Sequence, residues 1–386
     1  MFSPKLPVHG QGVFLFTAHK KEAKEAKEAK EAQEASFSIV GGNNKIHVKI
    51  TKDAVNATSF PGGEPLIDEE NHSGLTPGAS YWFSVDSQNQ NICVGIGEPR
   101  LETLIYKYLF TQNTKAFLES LRYIVIHKNS VKLLKFLRDP ITSNVPLLVM
   151  DTAGLTMDHV ANSRVMPVAN LPAISQKLYN CISGPNFTLS TEFPEFYEAI
   201  EYSLATPGLW CYETIKKKAT EFNDKPNETE TYLRITLGQN NGESPGIPYV
   251  MEIWPAGHYS PVHSHAGAEA VIRVLEGGIN VSMYPFLSAG APAFANADFV
   301  KDDVMWISPT LNQTHQLKNL GNKTCVTIQC YMYDANDNKH YDYFDYLDNN
   351  GVVKQYTPDV DMDFVDFKEL MLEEWATKPR SCWERC

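Results

Sequence analysis

Two histidines one residue apart, His263 and His265, with His315 further along, constrain what this 386-residue chain can fold into more than any other feature. In a strand, residues i and i+2 point to the same face. Imidazole nitrogens are good ligands for Fe, Zn, Cu or Ni. The histidines sit among short runs rich in β-branched and aromatic residues: TYLRITL, YVMEIWPAG, EAVIRVLEG, INVSMYPF, DVMWISP, HQLKNL and TCVTIQCYMY. Turn signals at Gly277-Gly278 and Ser308-Pro309-Thr310 separate several of them. Such regular spacing predicts a closed barrel or sandwich. A lone histidine is usually a surface or hydrogen-bonded residue, and His258, whose parity sets it opposite His263, is expected to be one.

The formal net charge of -12 excludes nucleic acid and an anionic membrane surface as expected partners. No run approaches the roughly 20 apolar residues that span a bilayer. The first residues, MFSPKLPVHGQGVFLF, lack the basic start, apolar core and small-residue cleavage site of a signal peptide. The cysteines are seven, an odd number, with no CxxC pair, which suggests neither a disulfide framework nor a zinc ribbon. One of seven Asn-x-Ser/Thr sequons, at Asn312, lies three residues before His315, where a glycan would be hard to accommodate. A cytoplasmic protein is expected.

The expected fold class is mainly β. GVFLF, FSIV, KIHVKI, SYWFSV and ICVGIG, separated by Gly41-Gly42 and Pro61-Gly62-Gly63, predict an antiparallel β-sandwich over residues 8–140. It is interrupted at 21–35 by KEAKEAKEAKEAQEA. The period of three matches no helical face, so this charged stretch is expected to be a solvated insertion. Residues 141–171 are expected to be a linker. LPAISQKLYNCI, PEFYEAIEYSLA and LWCYETIKKKATEF predict three short helices ahead of the second β-rich stretch. Residues 346–386 are expected to be an acidic tail ending in a helix.

The spacing Gly257-x5-His263-x-His265, then Pro309 and His315-x3-Asn319, resembles the two cupin motifs. Glu269 stands where the first motif has a glutamate. Asp303 replaces the usual glycine of the second, and His315 lies one residue further from Pro309. Residues 172–345 resemble cysteine dioxygenase, a thiol dioxygenase of the cupin superfamily, and His263 to Gly277 aligns without a gap. The resemblance implies a cupin β-barrel preceded by a short helical subdomain. It also implies Fe(II) on His263, His265 and His315, Arg234 gripping a substrate carboxylate with Tyr232 beside it, and Tyr331 near the oxygen site. The implied reaction adds both atoms of O2 to a small thiol, such as L-cysteine to cysteine sulfinate. Residues 8–140, through ASYWFSVDSQNQNICVGIGEP, are similar to a module first described with farnesoic-acid O-methyltransferases. That likeness implies a binding module for an unknown ligand or protein.

The residues themselves allow more than one reading. Tyr232, Arg234 and Thr236 alternate with Leu233, Ile235 and Leu237, so one strand face is polar. An arginine facing into a barrel is costly without an anion. A bidentate substrate carboxylate would serve, as would an internal acidic partner. If Arg234 grips the substrate, its loss raises KM for carboxylated thiols. Thr327, Gln329 and Tyr331 share one face, where a phenol could donate toward O2. By cupin spacing Glu269 is a candidate fourth ligand or a partner to a ligand; by the ungapped alignment it is not a ligand. Ala270 stands where animal enzymes have the cysteine that crosslinks to the tyrosine, and Gln329 where the family has a histidine. Two alternatives stay open. One is another metal-dependent cupin enzyme, such as a dimethylsulfoniopropionate lyase, whose YxPxHxHxxxE is similar to Tyr259–Glu269. The other is a non-catalytic cupin that binds or senses. The ligand set also suits Ni or Zn.

Overall fold

The computed structural model describes residues 4–379 apart from 19–33, 71–74, 77–78, 112–113, 128–129, 190, 224, 238–247, 266, 334–343 and 358. The chain divides after Val145 into two units. Most of the charged 21–35 insertion therefore lies outside the described residues. Among the described residues no helix is long and apolar enough to cross a membrane.

The first unit holds β1 (Gln11–Ala18), β2 (Glu34–Gly41), β3 (Asn44–Thr51), β4 (Ala54–Phe60), β5 (Pro65–Glu70), β6 (Ser80–Asp86), β7 (Asn91–Ile96), β8 (Leu104–Leu109), helix α1 (Lys115–Ser120), β9 (Tyr123–Ile126) and β10 (Val131–Leu137). They form two antiparallel sheets, ordered β10-β1-β6-β7-β8 and β5-β4-β3-β2-β9. Phe14 and Phe16 of one sheet meet Phe37 of the other edge-on, with centroids 4.9 and 5.1 Å apart. This is the expected sandwich, since alternate residues of each strand reach a shared core. Gly95 of β7 is required beneath the buried Trp82 indole: a Cβ there would lie 2.0 Å from its ring.

The second unit begins with β11 (Leu148–Met150), α2 (Met157–Ala161) and β12 (Met166–Pro167). The helices α3 (Ala173–Ile182), α4 (Phe196–Ala205) and α5 (Trp210–Lys217) then match the three expected ones. The barrel strands follow: β13 (Leu233–Thr236), β14 (Tyr249–Trp254), β15 (His263–Ser264), β16 (Glu269–Glu276), β17 (Gly278–Tyr284), β18 (Ala295–Val300), β19 (Val304–Ile307), β20 (Thr314–Lys318), β21 (Cys325–Met332), β22 (Phe344–Leu347) and β23 (Val353–Tyr356). The chain ends in β24 (Met362–Asp363) and α6 (Phe364–Ala376). One sheet has the order β12-β11-β19-β16-β21-β14-β13-β24, the other β18-β17-β20-β15-β22-β23. From β14 to β22 the chain passes repeatedly from one sheet to the other, which wraps both around one core as in a cupin barrel. Ala270, Ile272 and Val274 of β16, Ile279, Val281 and Met283 of β17, and Leu317 and Tyr331 meet inside.

Two expected boundaries need correction. Residues 141–171 are not only a linker. The apolar run Leu147–Met150 supplies Leu147 to the barrel core and β11 to the sheet edge, antiparallel to β19. Residues 346–386 are not a detached tail. β22 pairs with β15, β24 runs parallel to β13, and Phe367 and Met371 of α6 are fully buried. The acidic residues of that segment obscure an apolar stripe at helical spacing.

Candidate metal centre

His263 and His315 lie directly opposite one another across β15 and β20, and His265 follows on the same face as His263. The three are the histidines whose ligand atoms lie within 4.8 Å of one another. The Nε2 atoms of His263 and His265 are 3.1 Å apart, and those of His265 and His315 3.2 Å. His263 Nδ1 faces the Pro261 carbonyl and His315 Nδ1 the Asn312 carbonyl, each at 3.0 Å. A carbonyl can only accept, so both Nδ1 atoms carry the proton and both Nε2 lone pairs point inward. Asn312 presents its carbonyl from a left-handed turn (φ 63°), a conformation asparagine tolerates. Its side chain is wholly buried and donates to the Trp306 carbonyl, so this sequon has no room for a glycan in the folded chain. His265 is held instead between rings, with Phe344 at 4.7 Å and Tyr331 at 5.6 Å, and its Nδ1 has no hydrogen-bond partner.

These nitrogens fit a cation. Ligands about 2.1 Å from one metal stand about 3.0 Å apart at right angles and about 3.4 Å apart in a tetrahedron. Inward lone pairs at 3.1–3.2 Å repel unless a proton or a cation lies between them. A proton is opposed by burial, which lowers His263 to about 4 and His315 to about 3, with His265 also driven well below the usual histidine range. The imidazoles are thus neutral and ligand-ready at physiological pH.

Arg234, Tyr232 and Tyr331 line one small cavity with the histidines, of about 20 Å³. Trp254, Phe344, Tyr346 and Tyr356 complete an aromatic wall, and Tyr232 stacks on Trp254 at 4.0 Å. Arg234 does not wait for an anion. Its Nη1 donates to Glu252 Oε1 at 2.5 Å, from the position directly opposite in the β13–β14 register. The internal acidic partner is therefore present, as glutamate. Gln329 donates its amide to the other Glu252 oxygen, and the Tyr331 hydroxyl donates to the Gln329 carbonyl. Burial raises Glu252 to about 7 against the pull of Arg234, and raises the Tyr331 phenol well above its ordinary value. A chain Arg234–Glu252–Gln329–Tyr331 thus runs through Gln329, the position where the resemblance placed a histidine.

Glu269 is not brought into the histidine cluster. Ala270, Ile272 and Val274 face the core, so Glu269 and Arg273 face outward to α3. Ser175 Oγ donates to Glu269 at 2.6 Å, and Arg273 donates to the Ile182 carbonyl at 2.6 Å. Of the two readings of Glu269, this parity favours the one in which it is not a ligand. His258 is hydrogen-bonded to the Thr231 carbonyl at 2.9 Å, as its parity suggested. Asn319 ties the Trp254 and Lys323 carbonyls together, each at 2.8 Å, and is a structural clamp. Glu252, Tyr346 and Tyr356 escaped sequence reasoning. A glutamate between Met251 and Ile253 in an apolar strand was the available signal for Glu252.

No protein-family model matches the chain, and no curated protein matches it. Among solved structures it is similar to the cupin domain of Cnp3 from Schizosaccharomyces pombe, at 19% identity and TM-score 0.21, over 26% of this chain and 64% of that one. A sugar phosphate isomerase from a cupin superfamily of Silicibacter pomeroyi gives 15% and 0.22, over 32% and 75%. A cupin superfamily protein of Desulfitobacterium hafniense gives 14% and 0.21, over 28% and 84%. Likenesses this slight carry no inference about activity, metal or partner.

Proposed function

We propose that the second unit is a mononuclear Fe(II) thiol dioxygenase that adds both atoms of O2 to the sulfur of a small thiol. The balance is one thiol and one O2 to one sulfinic acid. What supports the reading is the convergence of three neutral imidazoles with Tyr331 in one aromatic-lined cavity. When bound, Fe(II) would supply an unquenched positive charge and the electron chemistry by which O2 reacts with a thiol.

The chain's own residues have distinct parts. Nδ1 contacts to Pro261 and Asn312 aim two ligand lone pairs at one point. The aromatic wall keeps water from the reacting groups, which strengthens every electrostatic contact inside. Tyr331 stays a neutral phenol, its one O–H given to the Gln329 carbonyl and its ring stacked on His265. The outward turn of Glu269 removes the feature on which a four-ligand lyase reading rested.

The test is an oxygen electrode with the Fe(II)-loaded full chain and a panel of cysteine, cysteamine and 3-mercaptopropionate. O2 uptake with a product 32 mass units heavier than the thiol is expected. No uptake with any of them removes the proposal.

A further inference from the structure

We infer that Glu252 sets the class of thiol this site takes: a small thiol with no carboxylate, whose far end is neutral or cationic. The inference rests on the thiol reading above and narrows it. Arg234 and Glu252 are 4% and 3% exposed, so water does little to screen either charge. The pair is neutral as a unit, and Nη1 is committed to Glu252 Oε1. Gln329 holds Oε2, which fixes the carboxylate beside the guanidinium and keeps it from swinging away. A substrate carboxylate would arrive as a second anion next to Glu252. Because Arg234 attracts it about as strongly as Glu252 repels it, that carboxylate forfeits the factor of roughly 10²–10³ in binding that an unpaired arginine about 4–5 Å away would supply, with nothing to offset its lost hydration.

The geometry also says what is accepted. Arg234 Nε is buried and has no hydrogen-bond partner, so the site holds an unused donor on the cavity-lining arginine. A neutral acceptor, such as a hydroxyl or amide oxygen, would use it without adding charge. An ammonium group would find the Glu252 carboxylate, whose oxygens can accept further bonds. Among the described residues the remaining wall, Phe222, Trp254, Tyr346 and Tyr356, offers no second guanidinium or ammonium to offset an anion.

The experiment measures anaerobic binding to the Fe(II)-loaded full chain by calorimetry. Cysteamine, 2-mercaptoethanol and 3-mercaptopropionate share a two-carbon spacer from sulfur and differ in terminal charge. Wild type is expected to bind the first two at least about 10²-fold more tightly than the third. Glu252→Gln keeps the shape and removes the charge, and is expected to move that ratio at least about 30-fold toward 3-mercaptopropionate and to gain binding of propionate. Tighter binding of 3-mercaptopropionate by wild type, or a ratio unchanged in Glu252→Gln, overturns the inference. If Glu252→Gln does not fold, the wild-type order decides alone, and the Arg234→Gln/Glu252→Gln double variant is expected to bind propionate no better than wild type. Thiols bound in the expected order without O2 uptake would sink the oxygenase reading and leave this one standing.

Discussion

Loading the three histidines with a divalent cation at pH 6.0 is expected to release almost no protons. Three ordinary imidazoles with a pKa of about 6.5 would each be about 76% protonated at that pH, so a metal would displace about 2.3 protons. In the barrel, burial lowers His263 to about 4, His315 to about 3 and His265 well below the usual range. With those values the protons released fall below about 0.2. Affinity follows: an ordinary site binds about 70-fold more weakly at pH 6.0 than at pH 8, whereas this site should change less than about 2-fold. The sign for stability follows too. Below pH 6.5 the unfolded chain takes up protons that the folded histidines refuse, so metal-free stability declines from there toward pH 4. Calorimetry of anaerobic Fe(II) binding in buffers of different ionisation enthalpy counts the protons. Release of two or more at pH 6.0 would refute the picture of a dry, neutral triad.

Three further outcomes are expected. Arg234→Gln strands a buried carboxylate and should lower the stability of the second unit by roughly 3–5 kcal/mol in chemical denaturation, most of it recovered in the Arg234→Gln/Glu252→Gln double variant. Glu269→Gln should leave metal content unchanged by elemental analysis, because its carboxylate faces Ser175; loss of the metal would revive the four-ligand alternative. Tyr331→Phe should retain metal by elemental analysis, because Tyr331 gives its O–H to Gln329 and lies outside the histidine cluster.

Much of the site was legible because strand parity and motif spacing are local properties. His263, His265 and His315, the polar face of TYLRITL and the three helices before the barrel all follow from periods of 2 and 3.6. Parity also separates Glu269 from the core once Ala270 is known to face inward. What stayed hidden depends on which strands become neighbours. Arg234 meets Glu252 because β13 and β14 pair in one register, and a slip of one residue would turn the glutamate outward. The carboxy-terminal segment gave no sign that it would pair with β15 and wall the cavity with Tyr346 and Tyr356, since its acidic residues dominate its composition.

The brevity of β15, only two residues, has a mechanical consequence. So short a strand has few ladder bonds to anchor it, yet it carries one ligand and leads directly into another. A cation shared by His265 and His315 would staple chain segments 50 residues apart. In the chain-entropy account, such a link is worth about 4 kcal/mol, the same as a disulfide closing a loop of that length. The five described cysteines are all free, so this barrel would owe its one cross-link among the described residues to its metal rather than to sulfur.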